Sequence, residues 1–204
     1  MSTRPRVAIL DYGMGNIRSV SKAVYRAGGR PLVTSDPGEA AAADAMVVPG
    51  VGAFGACMEG LRGRGLDRAV LEFAEGDRPL LGVCLGMQVL FERSEEGDAK
   101  GLGILRGGVV RLPSDVKVPH MGWNEVEWTS RPPLVEGLDG GVRFYFVHSY
   151  ACVPEEPVTV GETEHGVRFA AAVARDNLFG TQFHPEKSGD AGLRIYENLV
   201  RAAA

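Results

Sequence analysis

Cys84 lies in Gly82-Val-Cys-Leu-Gly86, between an apolar run, Pro79 to Val83, and a helical pattern that sets Met87, Leu90 and Phe91 on one face. A Gly-x-Cys-x-Gly turn from a strand into a helix has the layout of a nucleophile elbow, with sulfur in place of the usual hydroxyl. Glycine two positions to either side keeps a tight, strained turn from being crowded. A cysteine at a helix N-terminus faces unpaired amides and the positive end of the helix dipole, which favour thiolate over thiol. The competing reading is a buried structural cysteine. Only a base elsewhere in the chain separates the two.

Four histidines are available, His120, His148, His165 and His184. His165, in Glu164-His-Gly166, reads as a solvated turn residue, and His120 sits in a loop, Pro119-His-Met-Gly-Trp123, with no obvious group to orient it. His148 lies within the apolar strand Phe144-Tyr-Phe-Val-His-Ser-Tyr150 and reads as a structural histidine. His184 differs because Glu186 follows two residues later, with Pro185 between. In extended backbone, residues i and i+2 share a face, and proline biases the residue before it toward that conformation. A carboxylate on one ring nitrogen sets the tautomer and leaves the other free to take the thiol proton. A surface His-Pro-Glu turn is the alternative for this motif alone. Jointly, the elbow and His-x-Glu point to a cysteine hydrolase or acyl transferase.

Positioning these residues needs strands that end side by side. Arg6 to Tyr12, Pro31 to Thr34, Ala45 to Val48 and Pro79 to Val83 read as strands, alternating with helical stretches from Ile17 to Ala27, through the alanine run to Ala43, and onward to about Glu75. That order is the signature of a doubly wound parallel sheet, which builds its sites at the C-terminal ends of its strands. After Glu95 the pattern turns strand-like at 104–112, 124–128, 142–150, 159–164, 168–175 and 179–183, with a closing helix over 190–201. The expected fold is therefore α/β: an open, mostly parallel doubly wound sheet with added antiparallel strands, in one domain spanning 1–204.

Composition narrows the partners. The 204 residues carry 22 Lys plus Arg against 26 Asp plus Glu, a net charge of −4, with no basic run, which argues against nucleic acid. Three cysteines at unrelated spacings read as reduced thiols rather than a disulfide framework or a zinc site, and Cys57 and Cys152 read as packing residues. The opening Met-Ser-Thr-Arg-Pro-Arg leads directly into a strand, leaving no room for a signal peptide, and no apolar run approaches the roughly 20 residues of a membrane span. A cytoplasmic protein without membrane attachment is expected. Two glycine-rich loops invite a nucleotide reading and fail it. Arg18 stands where the third glycine of Gly13-x-Gly15 should be, and Gly50-Val-Gly-Ala-Phe-Gly55 is followed by Ala56-Cys57 in place of Lys-Ser/Thr. No cofactor and no metal are expected.

Gly82-Val-Cys-Leu-Gly-Met-Gln88 and Gln182-Phe-His-Pro-Glu186 resemble the two catalytic motifs of class I glutamine amidotransferase domains. Pro49-Gly-Val-Gly52 occupies the place of that family's oxyanion loop. Asp11-Tyr-Gly-Met-Gly-Asn16, Pro119-His-Met-Gly-Trp-Asn124, Tyr145-Phe-Val-His-Ser-Tyr150 and Phe183-His-Pro-Glu-Lys-Ser-Gly189 are similar, more narrowly, to the glutaminase subunits of imidazole glycerol phosphate synthase. The resemblance runs over almost the whole chain. It implies that Cys84 attacks the side-chain amide of glutamine, with His184 as base and proton donor and Glu186 as its orienting group. It implies oxyanion donors at Leu85 and at Val51 or Gly52, and substrate contacts at Gly50, Gln88, Ser149 and Tyr150. Where the family usually has a second glycine, Val51 stands, and valine resists the positive φ that glycine accepts, so a preformed oxyanion loop is not expected as a matter of course.

The resemblance also implies a partner. Nothing in the chain reads as an acceptor for ammonia, and the implied acceptor is a cyclase subunit, in a heterodimer, that makes imidazole glycerol phosphate and an aminoimidazole carboxamide ribotide for histidine synthesis. Trp123 and Asn124 are candidate docking residues, with Asn16, Tyr145 and Lys187 near the same sheet edge; the alternative for Trp123 is core packing. Two other readings share the motifs, a glutaminase subunit of another synthase and a non-catalytic α/β binding module.

Overall fold

The computed structural model describes residues 4–204; Met1, Ser2 and Thr3, on which the expectation of no leader partly rests, lie outside the described residues. Strand β1 (Arg6–Leu10) carries apolar side chains on both faces, and each face has its own core. Val7 and Ile9 pack with Val20 and Val24 of α1 (Ile17–Arg26), whereas Ala8 and Leu10 face the opposite layer. Burial on both faces explains why this strand reads as a continuous apolar run rather than an alternating one. Helix α1 ends where Gly28 takes φ +91, and the amides of Gly28 and Gly29 reach back to the carbonyls of Tyr25 and Val24.

The next elements follow in βα order: β2 (Arg30–Thr34), α2 (Pro37–Ala41), β3 (Ala45–Gly50), α3 (Phe54–Gly63), α4 (Leu66–Ala74) and β4 (Leu80–Cys84). The helical stretch expected to about Glu75 is divided into two helices, α3 and α4, where Gly65 adopts φ 69. Beyond the elbow come α5 (Leu85–Gln88), β5 (Phe91–Ser94), β6 (Ala99–Lys100) and β7 (Leu105–Arg111). The chain continues through β8 (His120–Glu125), β9 (Glu127–Trp128), β10 (Arg143–His148), β11 (Tyr150–Pro154), β12 (Thr159–His165), β13 (Val167–Arg175), β14 (Leu178–Thr181) and α6 (Gly189–Ala202).

The main sheet has eight strands in the order β2-β1-β3-β4-β14-β13-β12-β9. Its first five strands run parallel, and β13, β12 and β9 extend it antiparallel. Helices α1 and α6 cover one face; α3 and α4 cover the other. Strand β4 lies between β3 and β14, with Gly50 opposite Cys84 and Thr181 opposite Val83. The oxyanion loop, the elbow and the His184 segment therefore leave the sheet side by side, at the C-terminal ends of three adjacent parallel strands. This is where an open α/β sheet presents its site.

Three expectations are corrected. The helix expected after the elbow, with Met87, Leu90 and Phe91 on one face, lasts a single turn. The carbonyls of Val89, Leu90, Phe91 and Glu92 are taken by amides of residues 101–105, so Phe91 begins a strand instead. The strand read over 124–128 divides at Val126, because β8 pairs with β10 while β9 pairs with β12. The strand read over 142–150 divides at Ser149, where the chain leaves the β8–β10 pair for a second sheet, β11-β7-β5-β6. These breaks are changes of pairing partner, which periodicity within one segment does not reveal.

Candidate active site

Cys84 holds φ 54 and ψ −111, a left-handed conformation that costs a non-glycine residue about 1–3 kcal/mol. Close approach of three glycines enforces it. A Cβ on Gly86 would stand 1.8 Å from the Val48 carbonyl oxygen, and one on Gly82 would stand 2.6 Å from the carbonyl oxygen of Gly86. A Cβ on Gly50 would meet the Gly86 amide nitrogen at 2.6 Å. The turn thus presses directly on β3, and side chains at these positions would push the elbow off the sheet. Because α5 is one turn long, Cys84 does not sit at the head of a long helix dipole.

His184 follows β14 in extended backbone (φ −100, ψ 97), and Pro185 then opens a short 3-10 turn that carries Glu186. The His–Glu contact therefore arises through the turn rather than along a continuing strand. The imidazole Nδ1 lies 2.9 Å from Glu186 Oε1, with both side chains almost wholly buried. Ser188 Oγ donates to the His184 carbonyl at 2.7 Å and accepts the Tyr145 amide at 3.0 Å, while the His184 amide donates to the Tyr145 carbonyl at 2.9 Å. Three hydrogen bonds thus tie the His184 segment to β10. Among the described residues its other nitrogen, Nε2, is buried without a hydrogen-bond partner, and the Cys84 thiol stands beside it. Burial works against a charged imidazole, but Cys84 and Glu186 outweigh it and raise the His184 pKa to about 9.

A cavity of about 320 Å³ opens over the sulfur, lined by Val51, Gly52, Cys84, Leu85, Gln88, Ser149, Tyr150 and His184. Eight residues singled out in the sequence therefore meet on one wall system. Gly50 is not among the lining residues; it lies behind the elbow, where its missing side chain permits the close approach described above. In the oxyanion loop the positive φ falls on Gly52 (φ 99), and Val51 stays outside the left-handed region. The conflict between valine and positive φ does not arise here. Pro119, Val147, His148 and Glu96 also line the cavity; the first three were given no place in this site from the sequence, and nothing there marked Glu96. Glu96 further accepts the Phe54 amide at 2.8 Å, tying its loop to the start of α3. Gln182 was quoted only as part of a motif; its amide lies 3.6 Å from the Cys84 sulfur and accepts from Gln88 at 3.0 Å.

The other thiols are packing residues. Cys57 and Cys152 are buried and free, and burial pushes the Cys57 pKa up to about 12 and that of Cys152 well above its ordinary value. Cys57 also donates to the Tyr12 hydroxyl at 3.3 Å, and that hydroxyl bonds the Pro49 carbonyl at the root of the oxyanion loop. Among the described residues no group of three or more His, Cys, Asp or Glu side chains is arranged to hold a metal ion. None of their helices is long and apolar enough to cross a membrane.

The candidate docking residues separate. Trp123 is 54% exposed, so core packing is not its role. It pairs across β8–β10 with Tyr145, ring centroids 6.3 Å apart, and Lys187 Nζ stands 5.5 Å from the Tyr145 ring centre. Met121 on the same strand is 61% exposed. Asn16 lies half-buried at the start of α1, its side chain making no cap hydrogen bond. Asn124 instead turns inward, its amide donating to the Glu164 carbonyl and toward His120. His120 is not a loop residue but a buried member of β8, and His165 is not simply solvated but stacks on it at 4.2 Å.

Comparison with known proteins adds the family. Residues 8–202 match glutamine amidotransferase class-I. The chain is 54% identical over 202 residues to the imidazole glycerol phosphate synthase subunit HisH of Moorella thermoacetica, covering 97% of this chain and 96% of that protein. It is 52% identical to the same subunit of Aromatoleum aromaticum, covering 95% and 97% of the two chains. Among solved structures, a chain of PurLQS from Thermotoga maritima superposes with a TM-score of 0.77 at 19% identity, covering 98% of this chain and 99% of that one. At that identity the likeness is one of fold.

Proposed function

We propose, from the premise that the chain belongs to the class I glutamine amidotransferase family, that it hydrolyses glutamine and passes the ammonia to a cyclase partner. The observation that carries this reading is the strained Cys84 elbow beside the buried His184–Glu186 pair, at the mouth of one small cavity. At about 320 Å³ the cavity is at the small end of ligand pockets, in keeping with a single amino acid. The near full-length match to HisH subunits narrows the synthase to imidazole glycerol phosphate synthase and the product to histidine precursors.

The chemistry follows from the geometry. His184 Nε2 takes the proton of Cys84, and the sulfur attacks the amide carbon of glutamine. The carbonyl oxygen becomes an oxyanion, for which the Leu85 amide and an amide of the Val51–Gly52 loop are the proposed donors, each worth about 3–4 kcal/mol in such sites. The imidazolium then gives its proton to the departing nitrogen, releasing ammonia and leaving a thioester. Water, deprotonated by His184, attacks the thioester carbon; the sulfur leaves, regains its proton, and glutamate departs. Glu186 on Nδ1 stabilises the imidazolium in both halves. Gln88, Ser149 and Tyr150 are proposed to hold the amino-acid end of the substrate, with the Glu96 carboxylate on the rim a suitable counter-charge for its ammonium. Gly50 contributes by letting β3 approach the elbow.

Residues 1–204 are read as one glutaminase domain, acting in the cytoplasm with no cofactor. Exposed Trp123 and Lys187 with half-buried Tyr145 form the proposed cyclase-docking surface, for which Asn16 and Asn124 are the further candidates. The test is assembly with the cyclase subunit and assay of synthesis with either nitrogen source. Cys84→Ala is expected to abolish glutamine-dependent synthesis and to spare ammonia-dependent synthesis. Glutamine-dependent synthesis that survives the substitution would overturn the reading.

A further inference from the structure

Behind the cavity wall the hydrogen bonds form one continuous chain. Asn124 Nδ2 lies 3.2 Å from His120 Nε2, His120 Nδ1 lies 3.0 Å from His148 Nε2, and His148 Nδ1 lies 2.8 Å from the Tyr150 carbonyl oxygen. That carbonyl also accepts from Gln88 Nε2 at 2.9 Å, and Gln88 continues through Gln182 to the Cys84 sulfur. The Asn124 amide is oriented by its neighbours, because its Oδ1 accepts the Glu125 amide and its Nδ2 donates to the Glu164 carbonyl.

The fixed ends determine every proton between them. A carbonyl only accepts, so His148 must carry its proton on Nδ1 and present a bare Nε2. His120 must then donate from Nδ1 and accept at Nε2, which faces the Asn124 N–H. Each ring is neutral with one tautomer allowed. Both histidines are buried, and burial lowers their pKa values to about 4 for His120 and about 3 for His148, which keeps them neutral at physiological pH.

We propose that His120 and His148 are positioning residues, forming with Asn124 a directional relay that holds the Tyr150 carbonyl and Gln88 in place and links strand β8 to the nucleophile. The outer end of the relay adjoins Trp123, the exposed aromatic of the docking strand, and its inner end lies on the glutamine cavity. A shift of β8 on docking is thereby transmitted as a shift in a hydrogen bond to the substrate-side wall. Cutting the relay at His120 leaves His148 Nε2 without its donor in a buried setting. The His148 ring can regain a partner only by changing tautomer or turning, and either change takes its proton off the Tyr150 carbonyl. The inference rests on the glutaminase reading for its effect on turnover, but not for its effect on the rings.

Two measurements test it. The first is imidazole ¹⁵N NMR of the isolated full chain at pH 7. Nδ1–H tautomers in both His120 and His148 are expected, and an Nε2–H or doubly protonated ring at either position overturns the relay whatever the activity. The second is the ratio of glutaminase turnover with saturating cyclase partner to turnover without it. His120→Leu is expected to lower that ratio about tenfold, as loss of one buried hydrogen bond would. His120→Asn, whose amide N–H can stand where Nδ1 stands, is expected to restore most of it. An unchanged ratio in a folded His120→Leu protein overturns the coupling, as does an equal loss in His120→Asn. Parent protein that hydrolyses no glutamine with its partner overturns the glutaminase reading instead. Should His120→Leu not fold, the NMR measurement on the parent still decides.

Discussion

Replacing Glu186 by Gln keeps the shape of the side chain and removes its charge. In the parent, Glu186 Oε1 lies 2.9 Å from His184 Nδ1, and the two side chains are 1% and 2% exposed. Solvent therefore cannot screen the pair or replace the lost partner. A hydrogen bond to a charged group contributes about 1.5–3 kcal/mol. The imidazolium forms twice per turnover, before ammonia leaves and again before the thiol is restored, and both barriers feel the loss. The expected result is a decrease in kcat/KM for glutamine of about 10- to 150-fold. Substrate contacts are untouched, because Glu186 does not line the cavity, so the decrease should appear in kcat with KM nearly unchanged. Steady-state glutaminase assays on the assembled complex measure it. A variant within threefold of the parent would refute the assignment of Glu186 as the group that stabilises the charged base.

The elbow makes a steric prediction: Gly86→Ala, whose Cβ would sit 1.8 Å from a backbone oxygen, should destabilise by about 4 kcal/mol or more or prevent folding. Gly63→Ala, with nothing within 4 Å, should be neutral or stabilising by up to about 1 kcal/mol; urea titrations compare the two. Trp123→Ala should leave the melting temperature nearly unchanged, since the ring is 54% exposed, while weakening cyclase binding by about 2 kcal/mol in calorimetry. Stability should also fall with pH in a set direction. The folded His184 value of about 9 lies above the ordinary 6.5, so its contribution is complete below pH 6.5 and is lost as pH rises through 9. The urea midpoint should drop between those values, and by less in Glu186→Gln; a parent midpoint that rises would contradict the shift.

The elbow and the His184–Glu186 pair were legible because each is local: glycine spacing marks a tight turn, and a His-x-Glu separation is short enough for one turn to close. The alternation of strands and helices was legible for the same reason, from segments each carrying its own periodicity. What stayed hidden was pairing between distant segments. Nothing near Met87 indicates that residues 101–105 claim the carbonyls that would have continued its helix. His120 looked unoriented because its orienting groups, His148 and the neighbour of Trp123, reach it only after β8 pairs with β10. Glu96 and Gln182 carry no spacing signal of their own, and they join the site because the oxyanion loop and β14 bring them there. Val51 looked like an obstacle to positive φ, yet the backbone spends that conformation on Gly52. Sequence thus exposed the candidate reacting groups, and tertiary pairing supplied the groups that hold them.

Everything proposed for this site depends on Cys84 being the nucleophile for a glutamine-shaped substrate. Incubation of the complex with a glutamine analogue carrying an electrophile at the amide carbon, followed by intact-mass and peptide mass spectrometry, tests it most directly. One adduct per chain is expected, on Cys84, suppressed by excess glutamine, with the buried Cys57 and Cys152 unmodified. An unlabelled Cys84 in a folded complex, or labelling at Cys57 or Cys152 instead, would contradict it.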